Sequence, residues 1–169
     1  MKRTGSSPRP IARYSAAVYA AALMAFLHHF AAFTVVAALA VEVALFKPPL
    51  SLVQARRLLR TDVIFGAAAA VVLIVGLLRV SFFEKGPSYY WHDAFFLTKF
   101  AAFIVAALIS IYPTVTFLSW NRSLRAGAVP EVPEGRIRRV RMCLMLELTA
   151  IVVILFCAAL MARGFGYLR

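Results

Sequence analysis

Between Tyr14 and Phe46 the sequence carries a single apolar run, interrupted only by Ser15, His28-His29, Thr34 and Glu42. A bilayer-spanning helix needs about 20 apolar residues. A run of this length exceeds what a soluble core helix uses, so it predicts a membrane helix with the two histidines near mid-depth. Ionisable groups at such depth are costly and rare, and they mark functional positions. The rest of the chain is read around this constraint.

Three further apolar runs follow. The predicted helices cover about 16–46, 54–80, 94–120 and 136–163. The expected fold is all-α: an integral-membrane, four-helix, up-down bundle over 14–166, preceded by a disordered basic tail at 1–13. Hydrophobic residues make up 63% of the 169, against roughly 45–50% in a soluble domain. The formal net charge is +12. The Lys and Arg flank the apolar runs, where topology and anionic lipid account for them, so a nucleic-acid partner is set aside. The expected partner is the lipid bilayer, with self-association left open.

The first run is about twice the ~7–15 residues of a signal-peptide core and holds two histidines. It reads as a retained helix, although Ala38-Leu39-Ala40 resembles a cleavage site. Lys47-Pro48-Pro49 ends it, since proline cannot continue the hydrogen-bond ladder. Gly66 and Gly76, with Ala67 to Ala70 between them, suggest a small-residue surface for close helix approach. Tyr89, Tyr90 and Trp91 read as interfacial aromatics. His92, beside them, reads as a structural residue of that loop. Pro113 should kink the third helix or free a carbonyl. Cys143 and Cys157 lie on one helix, roughly 21 Å apart at helical rise. They read as buried apolar residues, not a disulfide.

The first and third connections carry Lys47, Arg56, Arg57, Arg60, Arg122, Arg125, Arg136, Arg138, Arg139 and Arg141. The other side carries the tail with Arg79, Lys85, Lys99, Arg163 and Arg169. The charge bias places the first set in the cytoplasm and both termini outside it.

An up-down bundle fixes the depth of each polar residue. Glu42, Asp62 and Glu147 fall in one layer beside the arginine-rich connections. Glu147 is expected to pair with Arg141 or another inward-facing base. Asp62 suits the first membrane turn of its helix, where a carboxylate complements the macrodipole. Residues fourteen apart on a helix lie within about 40° of each other, so His28 and Glu42 share a face. His29 points about 100° away. His28 is therefore the inward residue, in a polar seam completed by faces Asp62-Gly66-Ala69-Leu73, Lys99-Ala102-Ala106-Ser110 and Cys143-Glu147-Ala150-Ile154.

Neutral imidazole is a good axial ligand for haem iron. Haem b needs an apolar slot, one histidine at depth, and cations nearer the surface for its propionates. His28 with Arg79 and Lys99 offers that set. Copper is the competing metal, because Met24 and His28 stand at i, i+4 as a soft-plus-imidazole pair. A proton path through Glu42, Asp62, His28 and Glu147 is a third reading. A membrane partner without a cofactor, its polar seam serving packing, is a fourth. No phosphate loop, nucleophile elbow or zinc pattern occurs.

Four stretches carry a resemblance: Leu27-His28-His29-Phe30-Ala31-Ala32-Phe33, Gly76-Leu77-Leu78-Arg79-Val80-Ser81-Phe82-Phe83-Glu84-Lys85-Gly86, Ser110-Ile111-Tyr112-Pro113-Thr114 and Ala159-Leu160-Met161-Ala162-Arg163-Gly164. Across about Tyr14 to Gly166 the chain resembles a family of bacterial four-helix membrane proteins filed as a domain of unknown function. That resemblance implies a multi-pass protein of the cytoplasmic (inner) membrane. The family in turn distantly resembles the HemJ-type protoporphyrinogen oxidases and CopD-type copper resistance proteins. HemJ-type proteins carry a Leu-His pair in the first helix and a Lys near the start of the third, and are associated with haem b. Leu27-His28 and Lys99 fall at matching places. Where the HemJ third helix later carries a Tyr-His pair, Ile111-Tyr112-Pro113 stands here.

Overall fold

The computed structural model describes residues 10–168. It is all-α. Four helices are long and apolar enough to cross a membrane: α1 Pro10–Leu45, α2 Leu52–Leu78, α4 Ala94–Ser119 and α6 Glu134–Ala162. Two five-residue helices, α3 Pro87–Trp91 and α5 Asn121–Arg125, sit in the connections. α2 continues through a π-helical turn, Arg79–Phe83.

The helix ends follow from local chemistry. Pro48-Pro49 interrupts the ladder after α1. Ser51 starts α2 with a capping box: its hydroxyl accepts from the Gln54 N–H at 3.2 Å, and the Gln54 side chain accepts from the Ser51 N–H at 2.9 Å. Asp93 caps α4, its Oδ1 accepting from the N–H groups of Phe95 and Phe96 at 2.9 and 3.0 Å. These side chains satisfy amides that a helix start leaves without partners. α1 begins at Pro10, so Pro10–Arg13 are helical instead of belonging to a disordered tail. The remainder of that expected tail, 1–9, lies outside the described residues. Pro113 is buried within an unbroken α4.

α1 packs along α2, and α4 along α6. Contacts of α2 with α4 and of α1 with α6 close these two hairpins into a ring. One end of the bundle holds the arginine-rich connections and is called the basic end. The other, the aromatic end, holds α3 and the C-terminal segment.

The core gathers at the basic end. Leu39 and Phe46 of α1, Leu58 and Phe65 of α2, Phe117 and Trp120 around the end of α4, and Val140 and Leu144 of α6 form one cluster. Phe117 packs at a tilt against Phe46 and Trp120, with centroids 5.9 and 4.9 Å away. Arg56 ties α2 to α5 by donating to the Leu124 carbonyl at 3.0 Å. Toward the aromatic end the packing thins. Between Phe96 and Pro113 no α4 residue is fully buried, and α2 has only Val75 beyond Ala68.

The aromatic end is closed by stacked rings and a strap. Trp91, Phe96 and Phe100 pack together, and Tyr89 stacks on Tyr167 with centroids 5.2 Å apart. The Ala94 N–H donates to the Gly166 carbonyl at 2.9 Å, and the Leu168 N–H donates to the His92 carbonyl at 2.8 Å. The C-terminal residues are thereby pinned across the start of α4. Tyr90 is half-buried here, and burial, reinforced by the Glu84 carboxylate, holds its hydroxyl above the usual tyrosine range.

Candidate functional site

The structure sorts the polar residues into two groups on one seam, separated along α1 by about 21 Å at helical rise.

The first group is the carboxylate layer near the basic end. Glu42, Asp62 and Glu147 are 0%, 3% and 1% exposed. They come from three different helices, and their charges act on one another. Asp62 accepts a hydrogen bond from the Thr114 hydroxyl at 2.8 Å. Neither oxygen of Glu42 or of Glu147 has a partner, nor does the second oxygen of Asp62. This corrects the expected pairing of Glu147 with Arg141. The one ion pair among the described residues, Arg79–Glu84, lies at the opposite end. Arg141 stays exposed at the membrane edge, because sinking a guanidinium two turns into a dry core costs more than the pair returns.

The second group surrounds His28. His28 is half-buried, on the α1 face that also buries Ala31, Ala38, Leu39 and Glu42, and His29 is exposed. Two of the three histidines follow a common structural pattern. His29 Nδ1 meets the Ala25 carbonyl and His92 Nδ1 meets the Ser88 carbonyl, each at 2.7 Å. His28 Nδ1 is buried and has no hydrogen-bond partner, although the Val72 carbonyl also faces the ring.

Gly76 explains how the imidazole fits between α1 and α2. A Cβ at Gly76 would lie 3.1 Å from His28 Cε1 and 3.5 Å from Nδ1. The glycine thus fixes the ring's position by leaving room for it. The other glycine of the expected small-residue surface does not do this: Gly66 is exposed with no atom within 4 Å of an added Cβ. The buried stripe of α2 is Asp62, Phe65, Ala68 and Val75 instead.

Arg79 and Lys99 lie close enough to His28 for their charges to act on it. Each also has a local anchor. Arg79 pairs with Glu84, which also accepts from the Tyr90 hydroxyl at 3.5 Å. The Lys99 ammonium lies over the Phe96 ring, 5.4 Å from its centroid. The seam therefore brings His28, Arg79 and Lys99 together, and Glu42, Asp62 and Glu147 together, with the apolar side chains of Ala31, Val35, Ala38 and Leu39 between the two groups.

Sequence reading missed three members of these groups: Thr114, Gly76 as the seat of His28, and Glu84. The signal for Thr114 was its depth, level with Asp62 beside Pro113. The signal for Glu84 was its spacing from Arg79, which only the π-helical turn converts into contact. Cys143 and Cys157 are free and buried, as apolar residues would be. No group of three His, Cys, Asp or Glu able to hold a metal ion occurs among the described residues, so Met24 with His28 remains a two-ligand set for copper.

Four apolar helices around a buried polar seam define a polytopic α-helical membrane protein. The chain belongs to the family described as Predicted membrane protein (DUF2214), whose model matches residues 20–166. No curated protein and no solved structure matches it.

Proposed function

We propose that the chain is a multi-pass protein of the bacterial cytoplasmic membrane that binds haem b through His28. One observation carries this reading. His28 alone among the three histidines is inward-facing at membrane depth, and its buried Nδ1 makes no close hydrogen bond, with the Val72 carbonyl facing the ring. The donor set fits the group: one imidazole in apolar surroundings and two cations toward the nearer surface. Haem b, when bound, supplies one-electron chemistry at its iron.

The protein's own residues have defined parts in this reading. His28 provides the ligand nitrogen, and Gly76 sets the angle of its ring. Lys99 supplies a charge for a propionate and is freer to do so than Arg79, which already serves Glu84. Phe96, buried beneath Trp91 and beside Phe100, covers the aromatic end with apolar rings. Between Phe96 and Pro113 no α4 side chain is fully buried, so a planar ligand would have to press in from the bilayer side of this stretch.

The proton path is the second reading, favoured by the unpartnered oxygens of Glu42 and Glu147. The apolar gap between Glu42 and His28 argues against a relay running the length of α1. The carboxylate layer would have to act alone.

The test is the absorbance spectrum of protein purified from cells supplied with haem precursor. A Soret band is expected. His28→Ala should abolish it, His29→Ala should retain most of it, and Lys99→Ala should weaken it. A wild-type spectrum with no Soret band removes the haem reading. Loss of the band in His29→Ala, with retention in His28→Ala, removes the assignment to His28. Stoichiometric copper by metal analysis, without haem, would favour the Met24–His28 pair.

A further inference from the structure

A groove of about 510 Å³ opens between the end of α4 and the start of α6, outside the seam. Its α4 wall is formed by Tyr112, Thr116 and Ser119, and its α6 wall by Gly135, Arg136 and Arg139. Arg136 and Arg139 stand three residues apart on a helix, a spacing that puts them on neighbouring positions of one face. Both are exposed, and neither takes part in an ion pair among the described residues.

The groove is graded. Its deeper part, along Tyr112 and Val115, belongs to the apolar span of α4. Its outer part carries two guanidinium groups at the level where the spans end. The Thr116 and Ser119 hydroxyls donate to the carbonyls of Tyr112 and Thr116 at 2.9 and 2.6 Å. The start of α6, which Pro133 precedes without a side-chain cap, carries Glu134 in its first turn, so the positive field of the rim comes from the two guanidinium groups.

We infer that this groove binds the headgroup of an anionic phospholipid, with the phosphate held by Arg136 and Arg139 and an acyl chain lying along Val115. Arginine forks match phosphate oxygens in paired hydrogen bonds, and basic pockets between membrane helices hold acidic headgroups. The gradient from apolar wall to cationic rim matches one lipid molecule. A free phosphate ion would use the rim alone and leave the apolar floor bare.

Native mass spectrometry of the full chain in detergent tests this, with dioleoyl phosphatidylglycerol, dioleoyl phosphatidylcholine and inorganic phosphate as separate probes. One retained phosphatidylglycerol is expected where phosphatidylcholine and inorganic phosphate are lost. Arg136→Gln with Arg139→Gln should weaken retention by roughly 25-fold, at about one surface-cation increment per arginine. Arg138→Gln, an exposed arginine that does not line the groove, should leave retention unchanged. Equal retention of the two lipids overturns the inference, as does equal weakening by Arg138→Gln. Binding of inorganic phosphate as tight as that of the lipid overturns it too. A helical circular dichroism spectrum matching wild type keeps the double variant interpretable, and Ser119→Leu, which fills the groove without removing charge, should also lower retention.

Discussion

Replacing Glu147 should stabilise the protein. The side chain is 1% exposed and both of its oxygens lack partners. A buried polar group without a hydrogen bond costs about 1–3 kcal/mol by mutational measures. Leucine has a similar volume and carries no polar atom, so Glu147→Leu removes that cost without opening a cavity. It also removes one of the three buried carboxyl groups from the layer. The expected gain is about 1–3 kcal/mol, which for a chain of this size raises Tm by about 2–12 °C. Glu147→Gln keeps the shape but leaves an amide equally without partners, and should shift Tm by less than about 2 °C. Thermal unfolding in detergent, followed by the fluorescence of Trp91 and Trp120, reads both variants. The reasoning fails if Glu147→Leu is destabilised by the about 3–5 kcal/mol of a broken buried ion pair, because a cation would then have to reach Glu147.

Two further outcomes are expected. An added Cβ at Gly166 would lie 2.5 Å from Phe95 Cδ2 and 2.8 Å from Asp93 Oδ1, at a backbone φ of 106°, so Gly166→Ala should cost about 1–3 kcal/mol and release the C-terminal strap; unchanged hydrogen-exchange protection of the Ala94 amide would contradict this. With Cys143 and Cys157 replaced by alanine, Ser88→Cys should be labelled by an impermeant thiol reagent added to intact cells and Ser51→Cys should be protected; the reverse pattern inverts the orientation.

Helical spacing carried much of the architecture. The fourteen-residue interval between His28 and Glu42 placed both on the inward face of α1 before any neighbour was known, and the apolar runs located all four spans. Pairing was less legible. The number of arginines near Glu147 suggested a partner, but whether a guanidinium can reach depends on depth in the assembled bundle. The π-helical turn at Arg79–Phe83 was illegible for another reason: one extra residue per turn leaves no mark in composition, yet it brings Arg79 to Glu84. The seat of His28 depended on which of two glycines in α2 faces α1. Gly66 and Gly76 are equivalent by residue type, and only the crossing of the helices separates them.

The uneven density of the bundle sets where it can give way. Large interlocking side chains fix the four helices at the basic end, and local stability follows such packing. That end is the firmer of the two, and the helices part most easily at mid-span, between the core and the strapped aromatic end, where His28 is only half-buried. A gap opened there between α4 and its neighbours faces the acyl chains and not the aqueous phase. A guest reaching His28 would then arrive sideways from the bilayer, already stripped of water, and the route would admit flat, oil-soluble molecules while turning away hydrated ions.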